Sequence, residues 1–372
     1  MNANSPTTPP TEPFDGHYAA ITHWRGVAVL MILLSHTALG GNPESTYPGQ
    51  GFLYWLAQFG TYGIDLFVVL SGYCIASHVC HLVQTGQQPL SFLRHRFLRL
   101  YPIYWIACAL TVALGVAGLN PFFEEWHRAL PSQAHAAIAN FLLIEINADA
   151  LPLLPASQPL IYGVGIYLLV GLGFWFYRMG CPVHLLIDIG LGLAVIALFQ
   201  IRFLPLYVLQ LWPEFTMGGL LFLALYYQRF SRFHEGLCLT GIAGLAAASW
   251  LLSNRHMAML FSFTAAFALM LYYLHRWDQP LSQARILHPL RWIGSISYSL
   301  YLILDPLSIS IATLVRRYAQ SLVTQPAALQ LLLWGGCLLG GWLFYQLCEK
   351  PLEKWRHSLR PPQGQRDDLI FG

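Results

Sequence analysis

The sequence predicts an all-α protein, a polytopic transmembrane bundle of about ten helices. Two properties of the composition and one of the pattern lead there. Of the 372 residues, 56% are hydrophobic and only 10% are charged, whereas a soluble domain carries about a quarter charged residues. The mean hydropathy is positive, +0.51. Apolar runs close to the roughly 20 residues that cross the hydrocarbon layer recur at 22–40, 59–80, 98–119, 160–177, 183–200, 214–228, 237–252, 257–275, 293–315 and 328–348.

The first run, THWRGVAVLMILLSHTALG, carries a permanent cation, Arg25, near its start and a titratable ring, His36, eleven positions later. At about 100° and about 1.5 Å per residue, that offset returns to nearly the same helix face roughly 16 Å along the axis. Both side chains then look into one interior. Ionisable residues inside a membrane segment are expensive and are functional candidates by default. The competing reading of His36 is a buried histidine bonded to a neighbouring helix.

The second run contributes FGTYGIDLFVVLSGYCIASH. Gly60, Gly63, Ser71 and Gly72 are small residues that permit close helix contact, and Ser71 is an accessory site candidate. Asp65 stands at the outer entrance of this run, as a second accessory candidate or as a helix-end charge in the interfacial layer.

Between the second and third runs lies the most basic stretch, SFLRHRFLRLYPIYW. Arg96 and Arg99, three apart, share a helix face, and Arg94 is close by. Tyr101, Pro102, Tyr104 and Trp105 sit where an interfacial aromatic belt is expected. The arginines serve as a membrane anchor or, taken together, as forks for the phosphates of a ligand. Coenzyme A is the common cytoplasmic acyl donor that carries phosphates.

Residues 120–159 form the longest outer connection, with Glu124, Glu125, Trp126, Glu145 and Asp149. A connection of that length is often a lid or binding loop, and its acids and aromatics suit a sugar; a solvated loop is the alternative. Asp188 and Glu214 are further acids at membrane depth or at its edge, structural or catalytic. The seven cysteines, Cys74, Cys80, Cys108, Cys181, Cys238, Cys337 and Cys348, fall at unrelated spacings and read as small buried hydrophobes. They offer no zinc spacing, and no metal site is indicated. A phosphate-binding glycine loop and a serine-hydrolase elbow are likewise missing from the sequence.

Residues 1–20, rich in Pro and Thr, are expected to form a disordered tail, without the charged start and cleavage site of a signal peptide. Residues 21–357 form the membrane domain and 358–372 a polar C-terminal tail. An even number of spans with both termini cytoplasmic puts Arg25, Arg94, Arg96, Arg99, Arg178, Arg229, Arg232, Arg276, Arg285, Arg291, Lys350, Lys354, Arg356, Arg360 and Arg366 inside, 15 of the 20 Lys and Arg residues. That satisfies the positive-inside rule. Arg128, Arg202, Arg255, Arg316 and Arg317 are left outside. The formal net charge of +3 lies along one membrane face and makes no nucleic-acid-binding patch.

The stretches WRGVAVLMILLSH, GIDLFVVLSGYCIAS, FLRHRFLRLYPIYW, IGSISYSLYLILDPL and EKPLEKW together resemble acyltransferase family 3, in the same order and at plausible spacings. The resemblance touches most of the chain between residues 20 and 357. It implies a multi-span bacterial protein of the inner (cytoplasmic) membrane that takes an acyl group, usually acetyl, from cytoplasmic acetyl-CoA or another acyl-CoA. The group goes to a hydroxyl of a carbohydrate, a lipid-linked carbohydrate or another envelope molecule. The family's arginine with a histidine eleven positions later falls on Arg25 and His36. Its arginine pair three apart before the third span falls on Arg96 and Arg99.

Four positions depart from the pattern. Thr22 stands where the family often has Asp, Gln158 and Gly163 where it has a Trp and a Glu, and Asp305 where a His often follows SYSLYL. Asp305 is an accessory candidate as a substitute polar partner, and Tyr298 of the same stretch is another.

O-acylation needs a base for the acceptor hydroxyl. A neutral, desolvated histidine fits that task. His36 is therefore expected to deprotonate the acceptor or to carry the acyl group transiently, with Arg25, Arg94, Arg96 and Arg99 on the donor phosphates. A multi-span transporter of an envelope precursor or small anion is the alternative, although no Gly/Pro-broken segments recur in corresponding halves. A non-catalytic scaffold is a third. The acceptor, O-antigen, exopolysaccharide, peptidoglycan, macrolide or lipid headgroup, and the acyl group, acetyl, succinyl or longer, stay open.

Overall fold

In a computed structural model, residues 18–38, 58–129, 135–145, 150–199, 209–228, 231–323 and 326–358 are described. Of the expected tails, 1–20 and 358–372, all but residues 18–20 and 358 lie outside the described residues, as do Asp149, Arg202, Arg229, Arg360 and Arg366; Tyr18 and Ala20 are buried. The described regular elements are all helical, with no strand among them. In chain order they are α1 (Ile21–Ala38), α2 (Gly63–Gln84), α3 (Pro89–Val116), α4 (Pro121–Ala129), α5 (His135–Leu142), α6 (Ser157–Arg178), α7 (Val183–Leu198), α8 (Trp212–Tyr227), α9 (Arg232–Leu252), α10 (Arg255–Leu274), α11 (Asp278–Gln283), α12 (His288–Ser295) and α13 (Ser297–Tyr318). A short helix, Gln320–Val323, then leads to α14 (Pro326–Phe344) and α15 (Lys350–Ser358), which a π-helical turn, Tyr345–Glu349, joins.

Each predicted apolar run falls on helical segments. Seven are long and apolar enough to cross a membrane, and they include α2, α3, α6, α9, α10, α13 and α14. The protein is thus an all-α polytopic helical bundle. The first run, α1, is 18 residues long and diluted by His23, Arg25 and His36, while α7 and α8 have 16 residues each. The run at 293–315 is not continuous: the chain breaks at Ile296 between α12 and α13. Local chemistry explains several helix starts. Ser231 and Asn254 accept hydrogen bonds from the backbone N–H groups of His234 and Met257, the usual role of an N-cap. Proline occupies the first turn of α3, α8 and α12, where a missing N–H costs nothing.

Helix α1 is the centre of the assembly. A Cβ on Gly26 would lie 2.2 Å from the Leu290 carbonyl oxygen, and one on Gly294 would lie 1.8 Å from that of Thr22, so backbones touch where α12 crosses α1. Gly60 and Gly63 likewise face the Met31 and Ala28 carbonyls of α1, as small residues at a membrane helix crossing should. Both ends of α1 are moored. The Asp278 carboxylate accepts from the backbone N–H groups of Ala19 (2.6 Å) and Ala20 (2.8 Å). At the other end, Gln330 Nε2 and Trp334 Nε1 both donate to Thr37 Oγ1, at 2.7 and 2.9 Å.

The long connection between α3 and α6 folds back into the bundle. The hydroxyls of Tyr101 and Tyr104 and the indole N–H of Trp105 donate to the carbonyls of Leu142 (3.1 Å), Asn140 (2.7 Å) and Phe141 (3.0 Å). These rings are not a free interfacial belt; near the middle of α3 they satisfy the carbonyls that end α5, which a helix C-terminus leaves without internal donors. Leu143 then turns the chain with φ 56°. Glu145, read in that connection as a sugar contact or as part of a solvated loop, is 1% exposed.

Candidate active site

A cavity of about 190 Å³ opens among α1, α2, α3, α6, α8 and α13. Arg25, Arg96 and Arg99 all line it, with Ser71, Cys74, Tyr167, Tyr298 and Tyr301. The arginine face shared by positions 96 and 99 therefore points inward, toward the cation of α1. Arg94, on a different face of the same helix, is exposed and does not line the cavity.

Arg96 is the most deeply held, 5% exposed. Its Nη2 donates to His78 Nδ1 at 3.2 Å, and its guanidinium lies 5.4 Å from the Phe92 ring centroid and 5.5 Å from that of Tyr167, within cation–π range. Its Nε is buried without a hydrogen-bond partner. Glu349 interacts electrostatically with Arg25 and Arg99 and accepts a short hydrogen bond from Ser299 Oγ. Tyr298 donates to the Leu100 carbonyl and Tyr301 to that of Ala156, each at 2.9 Å. Both rings are thereby fixed as cavity wall.

Beyond the cavity, along α1, stands His36. Its Nδ1 is 2.5 Å from Asp305 Oδ1, with the two side chains 34% and 11% exposed. A carboxylate takes the Nδ1–H of a neutral imidazole and leaves the lone pair on Nε2. Such a ring is an oriented base. Ile32 and Tyr301, one turn before His36 and Asp305 in their helices, both line the cavity, so the His–Asp pair sits just past its end. Arg25 and His36 mark two levels of one rod roughly 16 Å apart.

Asp65 is 6% exposed, so it is not an interfacial charge. It lies on the face of α2 turned to α8, where it interacts electrostatically with Glu214, itself 1% exposed with Oε2 unpartnered. Neither acid lines the cavity. Gly163, by contrast, does.

Tyr167, Tyr301 and Glu349 were not singled out by the sequence. Glu349 opens the EKPLEKW stretch, but its inward placement depends on the π-helical turn, an irregularity frequent at functional sites and without a signature in composition.

A family described as an acyltransferase domain matches residues 18–346. The chain belongs to acyltransferase family 3. The matched region holds Arg25, His36, Arg96, Arg99 and Asp305. The chain is also similar to "Protein 2 in picA locus" of Rhizobium radiobacter, 34% identical over 127 residues, 32% of this chain and 59% of that protein. The chain thus spans 59% of the length of this curated relative. No solved structure matches it.

Proposed function

We propose that the protein moves a short acyl group, acetyl or a near relative, from cytoplasmic acyl-CoA to a hydroxyl of a cell-envelope polysaccharide or its lipid-linked precursor. It does so in the bacterial cytoplasmic membrane, with both termini inside. The observation that carries the reading is the pairing of three cavity-lining guanidinium groups with an oriented His36–Asp305 pair past the cavity's other end. Guanidinium forks match phosphate oxygens bidentately, and the buried, unpartnered Nε of Arg96 offers a further donor to such an anion.

In this reading Arg25, Arg96 and Arg99 hold the donor phosphates from the inner side and the thioester extends outward along α1. Nε2 of His36 takes the proton of the acceptor hydroxyl. The new ester C–O bond forms as the thioester C–S bond breaks, and the departing thiolate recovers a proton. Asp305 keeps the ring in the productive tautomer and stabilises it once charged.

The test uses membranes carrying the wild type or His36→Ala at equal expression, given labelled acetyl-CoA, with label followed into base-labile envelope glycan. Label in the wild type alone supports the reading, and the labelled sugar names the acceptor. Equal labelling of both would make His36 structural.

A further inference from the structure

The three cavity arginines are not held alike. Arg25 and Arg99 interact with the Glu349 carboxylate. The groups that act most strongly on Arg96 are instead Tyr167, Arg99, Cys74 and Arg356, none of them a carboxylate. A buried cation without a counter-ion is costly, and inside a membrane bundle it is a functional candidate by default.

Two kinds of contact hold the Arg96 guanidinium. The rings of Phe92 and Tyr167, at 5.4 and 5.5 Å, keep it between α3 and α6 by cation–π attraction, which locates the group without fixing how its planar fork is turned. The turn of the fork is fixed by the hydrogen bond from Nη2 to His78 Nδ1, 3.2 Å long, which reaches from α3 to α2. A guanidinium only donates, so His78 presents the Nδ1 lone pair and carries its proton on Nε2. His78 is 7% exposed and does not line the cavity. Its ring packs against those of Phe92 and His95, with centroids 5.8 and 5.2 Å away. It therefore meets no ligand in the cavity itself.

We infer that His78 is a positioning residue of the donor site. By engaging one nitrogen of Arg96 it sets the angle of the fork and keeps the remaining N–H groups, the unpartnered Nε among them, for a phosphate. The inference rests on the acyl-CoA reading above and adds to it a residue that acts through Arg96.

The experiment compares the wild type, His78→Phe and His78→Asn. It measures equilibrium binding of CoA to the purified full-length protein and, in membranes, transfer of label from acetyl-CoA at varied concentration into base-labile glycan. Phenylalanine keeps a ring and removes the acceptor; asparagine is smaller and puts its Oδ1 near the place of Nδ1. His78→Phe should weaken CoA binding and raise the acetyl-CoA KM by about ten-fold, with kcat within about two-fold of the wild type. His78→Asn should recover most of the loss. S-acetylpantetheine, which has the thioester and no phosphate, should bind to all three alike. With Arg96→Met already present, His78→Phe should add less than about two-fold. His78→Leu, also without an acceptor, takes the place of His78→Phe should that variant fail to fold.

Wild-type CoA binding by the acceptor-less variant overturns the inference. So does an Asn variant as weak as the Phe one, or a full ten-fold loss on top of Arg96→Met, because each would make His78 a packing residue. In all three cases CoA binding by the wild type leaves the donor reading standing. If the wild type does not bind CoA, both fall.

Discussion

The Nδ1 of His36 and the Oδ1 of Asp305 stand 2.5 Å apart, joining two helices whose residues are 269 positions apart in sequence. Asp305→Asn would place an amide against Nδ1 and favour the opposite tautomer, with the proton on the nitrogen that should act as base. Acyl transfer should fall by about 10²–10⁴-fold, while donor binding is retained and Asp305→Glu recovers some of the loss. A variant that transfers normally would show that the pair only ties α13 to α1.

The arginines separate by face. Arg96→Lys keeps the charge but removes the planar fork and should raise the donor KM by about ten-fold, the effect of losing a little over 1 kcal/mol. Arg94→Ala, at an exposed position, should change KM by less than about two-fold, in line with a near-neutral surface substitution. Steady-state kinetics with varied acyl-CoA distinguishes the two.

The crossing of α1 and α12 has no spare room. A methyl at position 294 would fall 1.8 Å from the Thr22 carbonyl oxygen, so Gly294→Ala must push the two helix backbones away from each other. The expected cost is about 1–3 kcal/mol or more, visible as a lowered thermal midpoint in detergent. An unchanged midpoint would mean that the helices separate there at little cost.

Burial pushes the Glu145 carboxyl above its usual range. Below the unfolded value the group is protonated in both states and carries no charge penalty. As pH rises, the unfolded chain ionises first, and stability falls until the folded group ionises as well. Glu145→Gln should therefore be more stable than the wild type at about pH 8, with the difference closing toward about pH 4. Thermal midpoints of both proteins across that interval give the answer; parallel curves would refute it.

Much of the architecture was legible because membrane helices announce themselves by length and apolarity, and all ten expected runs lie on helices. The inward arginine face followed from the three-residue spacing of Arg96 and Arg99; the offset of eleven put Arg25 and His36 on one rod, but His36 lies past the cavity that Arg25 lines. Asp305 stood out as a departure, but its contact with His36 crosses the whole chain and no local pattern encodes such a distance. Tyr101, Tyr104 and Trp105 were misplaced for a related reason: aromatic rings beside arginines look like an interfacial belt until the carbonyls of α5 come within reach. For Asp65 the sequence left an accessory role and an interfacial helix-end charge both open, because its neighbour Glu214 is supplied by another helix.

Mooring α1 at Ala19 and Ala20 by Asp278, and at Thr37 by Gln330 and Trp334, has a consequence for motion. Sliding, tilting or rotating this rod breaks hydrogen bonds at both ends and drives the glycine crossings into collision. It is therefore the stator of the machine. Whatever opens to admit a substrate or release a product must belong to the surrounding walls, and the interval between Arg25 and His36 stays constant while they move.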